Sequence, residues 1–388
     1  MRFPPTFSRT GLGPVLLLLT IAPSVPASPW KITNSQFQSQ SVDLQSIDQD
    51  GLHLTAQPTT MPWSDILEIS HPAPAPPAGG KFVAFLTTSD HLSGDPEGIT
   101  GDQLQWNAPG LGAIQLPEAK LAAICRAGSA APEGLDQVRT DDQVLLANGD
   151  RTHGIITQID AIGVTIQTDA ATPTLPWDSV SAVLISSTPT VAKNDRVFRV
   201  RFGDDSSITA STVALAGDQL SISFDGKTTR TIDDSLVAAI EQINGPVSWL
   251  TSRTPSVNIY NPYFTEDFPT KFDRTVDGRP IREKYPDFHH GIGCHSYSKL
   301  VYDLDGTYTV FRTQFAIDSD SPLADVTARI LLDDKVAWEM ANVKAGRIYP
   351  VVQVPLGAAK HVGLEVDFGE NYATEGRFVW LDPALVAH

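Results

Sequence analysis

The feature that most limits what this chain can fold into is a repeat. Four segments close alike: "MPWSDILEI" (Met61–Ile69), "LPEAKLAAI" (Leu116–Ile124), "LPWDSVSAVLI" (Leu175–Ile185) and "TIDDSLVAAI" (Thr231–Ile240). Aligned on Pro62, Pro117, Pro176 and Ile232, they recur at intervals of 55, 59 and 56 residues. Ahead of each stands a short alternating stretch, "GLHLTA", "DQLQWNA", "GVTIQTD" or "DQLSISF". In the last three copies a further run leads into a polar turn: "FVAFLTTSDHLSG", "QVLLANGDRTHG" and "VFRVRFGDDSS". Period-two alternation broken by Gly, Asp and Asn turns is the signature of strands and hairpins. A fixed period makes each copy one small all-β module.

The joints fall where the repeat requires them. "HPAPAPPAGG" (His71–Gly80), "AGSAAPEG" (Ala127–Gly134) and "SSTPTVAKN" (Ser186–Asn194) read as stiff to semi-flexible linkers. The expected units are therefore 28–70, 81–126, 138–186 and 195–243. Their strand order, with the Gly149–Asp150 turn and Gly154, resembles the small SH3-like or Sm-like barrels. That resemblance implies tandem barrel-like modules; the alternative is a four-bladed propeller, in which four such units close a ring. Trp63 and Trp177 follow proline at the same phase of the repeat, and large aromatics dominate core burial, so both are expected inside their modules.

The first residues read as a secretory leader over 1–27: Arg2 and Arg9, then the apolar "GLGPVLLLLTIA" (Gly11–Ala22), then "VPA" (Val25–Ala27) as a cleavage site. The apolar run falls short of the roughly 20 residues that a membrane span needs. The expectation is an exported protein without a membrane span, placed in the periplasm, on the cell surface or outside the cell. The formal charge of −17 excludes nucleic acid as a partner, because phosphate binding relies on clustered Lys and Arg. It also disfavours anionic lipid. Cys125 and Cys294 lie far apart in sequence and fit neither a disulfide framework nor a zinc spacing; whether they pair is left open.

After Asn244 the pattern changes. "HGIGCHSYSKLVYDLDGTYTVF" carries Gly291, Gly293, His295, Ser298, Leu304, Gly306, Tyr308 and Phe311 in an order that resembles the NPCBM/NEW2 family. The likeness continues through "FAIDSDS", "VTARILLDDKVAWE", "VPLGAAKHVGLEVDFGE" and "RFVWLDPALV". The family is a galactose-binding-like β-sandwich regarded as a carbohydrate-binding module, so the resemblance implies that fold and that ligand class for 245–388. In the closing strand only Trp380 keeps the family's pattern. Independently, "KLVYDL", "YTVFRTQFAI", "VTARILL", "IYPVVQVPL" and "HVGLEVDF" alternate apolar with polar residues between Gly/Asp turns, which is how a sandwich reads.

The chemistry-bearing residues of this segment point to binding rather than catalysis. His289, His290 and His295 lack the fixed ligand spacing of a metal site. Cys294 and His295 are neighbours on a strand, so their side chains face opposite ways and cannot form a nucleophile–base pair. "DSDS" (Asp318–Ser321) offers oxygens for a structural calcium ion but lacks the spaced Gly and distal Glu of a calcium loop; no other cofactor is indicated. Sugar binding asks for an aromatic face and a few aimed polar groups in a shallow pocket. His295, Tyr297, Arg312, Tyr372, Arg377 and Trp380 are of that type, although Trp380 also suits a core position.

The sequence thus leads to an all-β chain. Tandem small β-barrel-like repeats are followed by a galactose-binding-like jelly-roll β-sandwich. It is a non-catalytic binder of a glycan or envelope polysaccharide, with the repeats as spacer or as a contact surface for other envelope proteins. The rivals are a structural or adhesion protein whose sandwich binds another protein, and a glycoside hydrolase, for which no carboxylate pair is singled out.

Overall fold

The computed structural model describes residues 30–387, apart from 56, 130, 133, 136–137, 189–195, 225–227 and 264–267. The leader expected over 1–27 and most of the linker at 186–194 lie outside the described residues. The described chain is nearly all β, in antiparallel sheets.

Each repeat lays down its strands in one plan. In the second repeat, Phe82–Leu86 pairs with His91–Thr100 on one side and with Leu121–Arg126 on the other. His91–Thr100 then pairs with Gln103–Ala108, and that strand with Gly112–Pro117. The third repeat does the same with Asp142–Leu146, Arg151–Ile159, Gly163–Gln167, Thr174–Pro176 and Val180–Leu184. In the first and fourth repeats the second strand is interrupted, at Asp43 and Ser211, but the pairing order is the same. A single 3-10 turn precedes the last strand in every copy, at Trp63–Asp65, Glu118–Lys120, Trp177–Ser179 and Asp234–Leu236.

The repeats do not sit apart as beads. The last strand of the first repeat, Ile66–Ser70, pairs antiparallel with the last strand of the fourth, Val237–Ile243, about the Ile69↔Ile240 match. The last strands of the second and third repeats pair about Ile124↔Val183. These four residues hold the same place in their strands, the fourth, so both unions are equivalent pseudo-two-fold pairs. A one-residue bridge, Ser207↔His91, joins the pairs into one 16-stranded sheet, while the remaining strands of the first and fourth repeats form a separate six-stranded sheet joined at Leu215↔Ile47. Propeller blades, by contrast, are separate sheets around a channel. Apolar last strands such as "LAAIC" have no face to spare for water, and strand-to-strand pairing satisfies their backbone groups as well. The proline-rich stretch at 71–80 is drawn in too: His71 and Ala75 donate their amides to Ala238 and Ser235. One core, from Trp30 to Ile240, runs through all four repeats.

The C-terminal part is two stacked sheets. One orders Lys271–Phe272, Gly291–His295, Arg377–Val386, Val310–Ile317 and Ile348–Pro355, with Val247–Trp249 beside Arg377–Val386. The other orders Val257–Tyr260, Ser298–Asp303, His361–Phe368, Val326–Leu332 and Lys335–Val343. Phe311, Phe315, Phe378, Leu300, Tyr302 and Val326 meet in the core between them. A small apolar cluster of Leu67, Val247, Trp249, Ala384 and Val386, with Phe37 and Val310, binds this sandwich to the first repeat.

Candidate functional site

The sandwich gathers aromatic side chains at one end. His295 closes the strand Gly291–His295 opposite Arg377, the first residue of the strand Arg377–Val386. Its ring is buried, stacks on Phe268 at 4.9 Å and meets Tyr260 edge-on at 6.4 Å. The Arg377 guanidinium lies 5.9 Å from the centre of the same Phe268 ring. Just beyond, Tyr263 stands 5.8 Å from Tyr372, their planes 38° apart, and 5.6 Å from Phe368. Tyr263 and Tyr372 are 52% and 62% exposed, high for large side chains that pack against one another.

Polar groups of fixed orientation flank these rings. Tyr297, 6.4 Å from Phe368, donates its hydroxyl to Glu365 at 3.1 Å. Burial and the Glu365 charge push the Tyr297 phenol up to about 12, so it remains a donor at neutral pH. Arg329 bridges Glu365 and Asp367 at 2.8 Å each and Glu339 at 2.6 Å. These hydrogen bonds raise the Arg329 pKa further. The loop that carries Tyr372 is tied down at both ends: Glu375 accepts the Leu323 amide at 2.9 Å and Asn371 donates to the Leu323 carbonyl at 2.8 Å. Gly369 makes that approach possible, because a Cβ there would come within 2.3 Å of the Asp325 carbonyl oxygen.

Of the six binding residues expected from sequence, His295, Tyr297, Tyr372 and Arg377 come together at this end. Trp380 and Arg312 do not. Trp380 is 1% exposed and packs among Phe315 and Phe378 in the core, leaving it no face for a ligand. Arg312 lies 3.8 Å over the Phe37 ring at the junction with the first repeat. Tyr263 and Phe268 were not anticipated, because no alternation of apolar and polar residues marks them in the sequence.

The other sequence candidates are spent on structure. His289 and His290 pair with Glu68 at 2.6 Å and Glu241 at 2.8 Å, acids of the first and fourth repeats. Asp320, in the acidic turn considered for calcium, takes Lys284 at 3.0 Å and Arg279 at 3.1 Å, and Lys284 also pairs with Asp318. Among the described residues no three His, Cys, Asp or Glu side chains are grouped to hold a metal ion. Cys125 and Cys294 are buried free thiols on the strands Leu121–Arg126 and Gly291–His295, the second pushed up to about 12 by burial.

This arrangement defines a class: an all-β chain in which a sandwich with an aromatic face at one end is joined to paired repeats. Residues 253–386 match the model of the NPCBM/NEW2 domain family. A search of curated proteins gives no match. Among solved structures, the chain is similar to the CBM51-2 and INT domains of Clostridium perfringens ZmpB, with 22% identity, 44% of this chain and 36% of that chain covered, and a TM-score of 0.33. It is similar to the CBM51 of C. perfringens GH95 in complex with methyl-galactose, at 19% identity over 36% of this chain and 99% of that chain, TM-score 0.29. The tandem CBM51 modules of Sp3GH98, a family 98 glycoside hydrolase from Streptococcus pneumoniae, share 11% identity over 67% of this chain and 92% of theirs, TM-score 0.31. The chain thus spans about a third of the first of these structures. No helix among the described residues is long and apolar enough to cross a membrane.

Proposed function

We propose that the protein is an exported, non-catalytic carbohydrate binder whose sandwich takes a glycan on its aromatic end, with the repeats as the mount that holds it. The observation that carries this is the exposed Tyr263–Tyr372 pair beside the Glu365–Arg329–Asp367 network. A sugar ring offers an apolar C–H face and a rim of hydroxyls; exposed rings match the first, and oriented carboxylates and guanidinium match the second. His295 and Arg377, stacked about Phe268, form the inner wall of the same face. The NPCBM/NEW2 match over 253–386 supports the ligand class.

The test is affinity electrophoresis and a glycan array on the full chain, with galactose- and N-acetylglucosamine-containing glycans as first probes. Truncating a central aromatic contact costs 1–2 kcal/mol or more in a binding site, so Tyr372→Ala and Tyr263→Ala should each weaken binding by roughly 5- to 30-fold. Trp380→Phe, a core change, should leave affinity alone. Binding that survives the double tyrosine variant would remove this face from the account.

A further inference from the structure

Within each pair of repeats, the first residue of one 3-10 turn faces the start of the partner repeat's first strand. Four such corners exist. At the first, Trp63 and Phe198 lie ring against ring at 4.6 Å. At the second, Trp177 and Phe82 do so at 4.3 Å. At the third, where Asp234 opens the turn, Trp30 fills the space and meets His71 edge-on at 5.1 Å. At the fourth, between the second and third repeats, the equivalent positions hold Glu118 and Asp142. The register fixes the equivalence, since Leu146↔Val180 in the third repeat matches Phe202↔Val237 in the fourth, which places Asp142 where Phe198 stands.

Where the other corners hold rings, this one holds a cleft of about 370 Å³. Its walls are Ile99, Leu121, Ile155, Ile156, Ile159 and Ile185, and its polar groups include Glu118 and Asp142. Asp142 is buried, and its two oxygens accept the amides of Ile156 at 2.8 Å and Ser186 at 2.7 Å. Glu118 is half-buried, and its carboxylate has no hydrogen-bond or ion-pair partner among the described residues. Burial first, then the charges of Asp142 and Asp102, raise its pKa. An aliphatic cleft with two neighbouring acids and, among the described residues that line it, no cation is short of one thing: a positive charge on a hydrocarbon stem.

We propose that the cleft between the second and third repeats binds a linear aliphatic primary amine, its chain along the isoleucines and its ammonium between Glu118 and Asp142. The ammonium fits better than a guanidinium, because amides already take both oxygens of Asp142 and leave no free edge for a planar fork. It fits better than a divalent ion, because isoleucine walls cannot supply the six or more oxygens that calcium takes. The volume lies at the low end of small-molecule sites, so the ligand is a free amine rather than a polypeptide.

Calorimetry on the full chain at pH 7 with n-hexylamine, 1-hexanol and hexanoate tests this. Hexylamine should bind saturably, hexanol at least about fivefold more weakly and hexanoate not at all, as a charge-assisted contact requires. N-acetyl-lysine methylamide, whose amides find no partners among isoleucines, should also bind at least about fivefold more weakly than hexylamine. Tighter binding of that compound would overturn the free-amine assignment. Glu118→Gln should cut hexylamine affinity roughly fivefold or more, leaving hexanol affinity and the thermal midpoint as they are. Ile155→Lys, at an exposed position of the wall, should occupy the cleft with its own ammonium and abolish hexylamine binding. Equal affinities for hexylamine and hexanol, no binding up to about 10 mM, or indifference to Glu118→Gln would each refute the proposal.

Discussion

His290 shows how single residues fasten the molecule. It is 2% exposed, hydrogen-bonds Glu241 at 2.8 Å and Asp273 at 3.1 Å, and stacks on Trp249 at 4.5 Å. Burial alone would lower its pKa, but the charges of Glu241 and Asp273 outweigh burial and lift it to about 10. A folded-state pKa above the unfolded value of about 6.5 means stability that is complete below that value and lost as pH rises through 10. Unfolding free energy should therefore decline from pH 7 to pH 10, and the decline should be largely absent in His290→Gln. At pH 7 that variant leaves Glu241 buried without its cation and should cost about 3–5 kcal/mol in urea unfolding. The sequence exposed the two histidines but not their use, because Glu68 and Glu241 stand 221 and 49 residues away from them. Trp380 misled for the opposite reason. A strand tryptophan that fits a family pattern reads the same whether it faces the core or a ligand.

At the scale of elements, the first and third repeats share a device that the second and fourth lack. Asp48 and Asp160 each accept two amides of the following turn, ending at Gly51 and Gly163. Trp63 and Trp177 then donate their indole N–H to the backbone carbonyls of those same aspartates, at 2.9 and 2.7 Å. Glycine is required because the facing strand runs too close: a Cβ on Gly163 would lie 2.2 Å from the Leu175 carbonyl oxygen. The pattern Asp-x-x-Gly followed by Pro-Trp was present in the sequence. Only its Pro-Trp half is legible there, because the aspartates act through backbone bonds that leave no periodicity. Each tryptophan both closes its own repeat and packs on a phenylalanine of the partner repeat. Trp63→Ala and Trp177→Ala should each cost about 3–5 kcal/mol in urea unfolding. Gly163→Ala should be damaging too, whereas Tyr372→Ala, at the surface, should stay within about 0.5 kcal/mol of the parent.

For the whole molecule, the repeat period made four all-β units legible, and alternation after Asn244 made the sandwich legible. The pairing of the first repeat with the fourth and the second with the third was not, since register between distant strands is set by which faces can be buried together. The consequence is that the four repeats share one core, on which the sandwich docks through the first repeat. The sandwich meets the first repeat at Ala384 and Val386, while the aromatic end begins at Arg377 on the same strand. The nine residue steps from Arg377 to Val386 span about 30 Å at roughly 3.3 Å each, so the junction and the aromatic end lie at opposite ends of the sandwich. They should therefore separate by mutation. Leu67→Asp puts a charge into the apolar junction and should loosen the sandwich from the repeats, raising the radius of gyration in solution scattering and opening the 243–250 region to protease. Glycan affinity should change less than about twofold, because no residue of the aromatic end touches that junction. Tyr372→Ala should do the reverse, leaving the scattering profile unchanged while affinity falls. Loss of glycan binding in a folded Leu67→Asp protein would show that the repeats contribute to the ligand site itself.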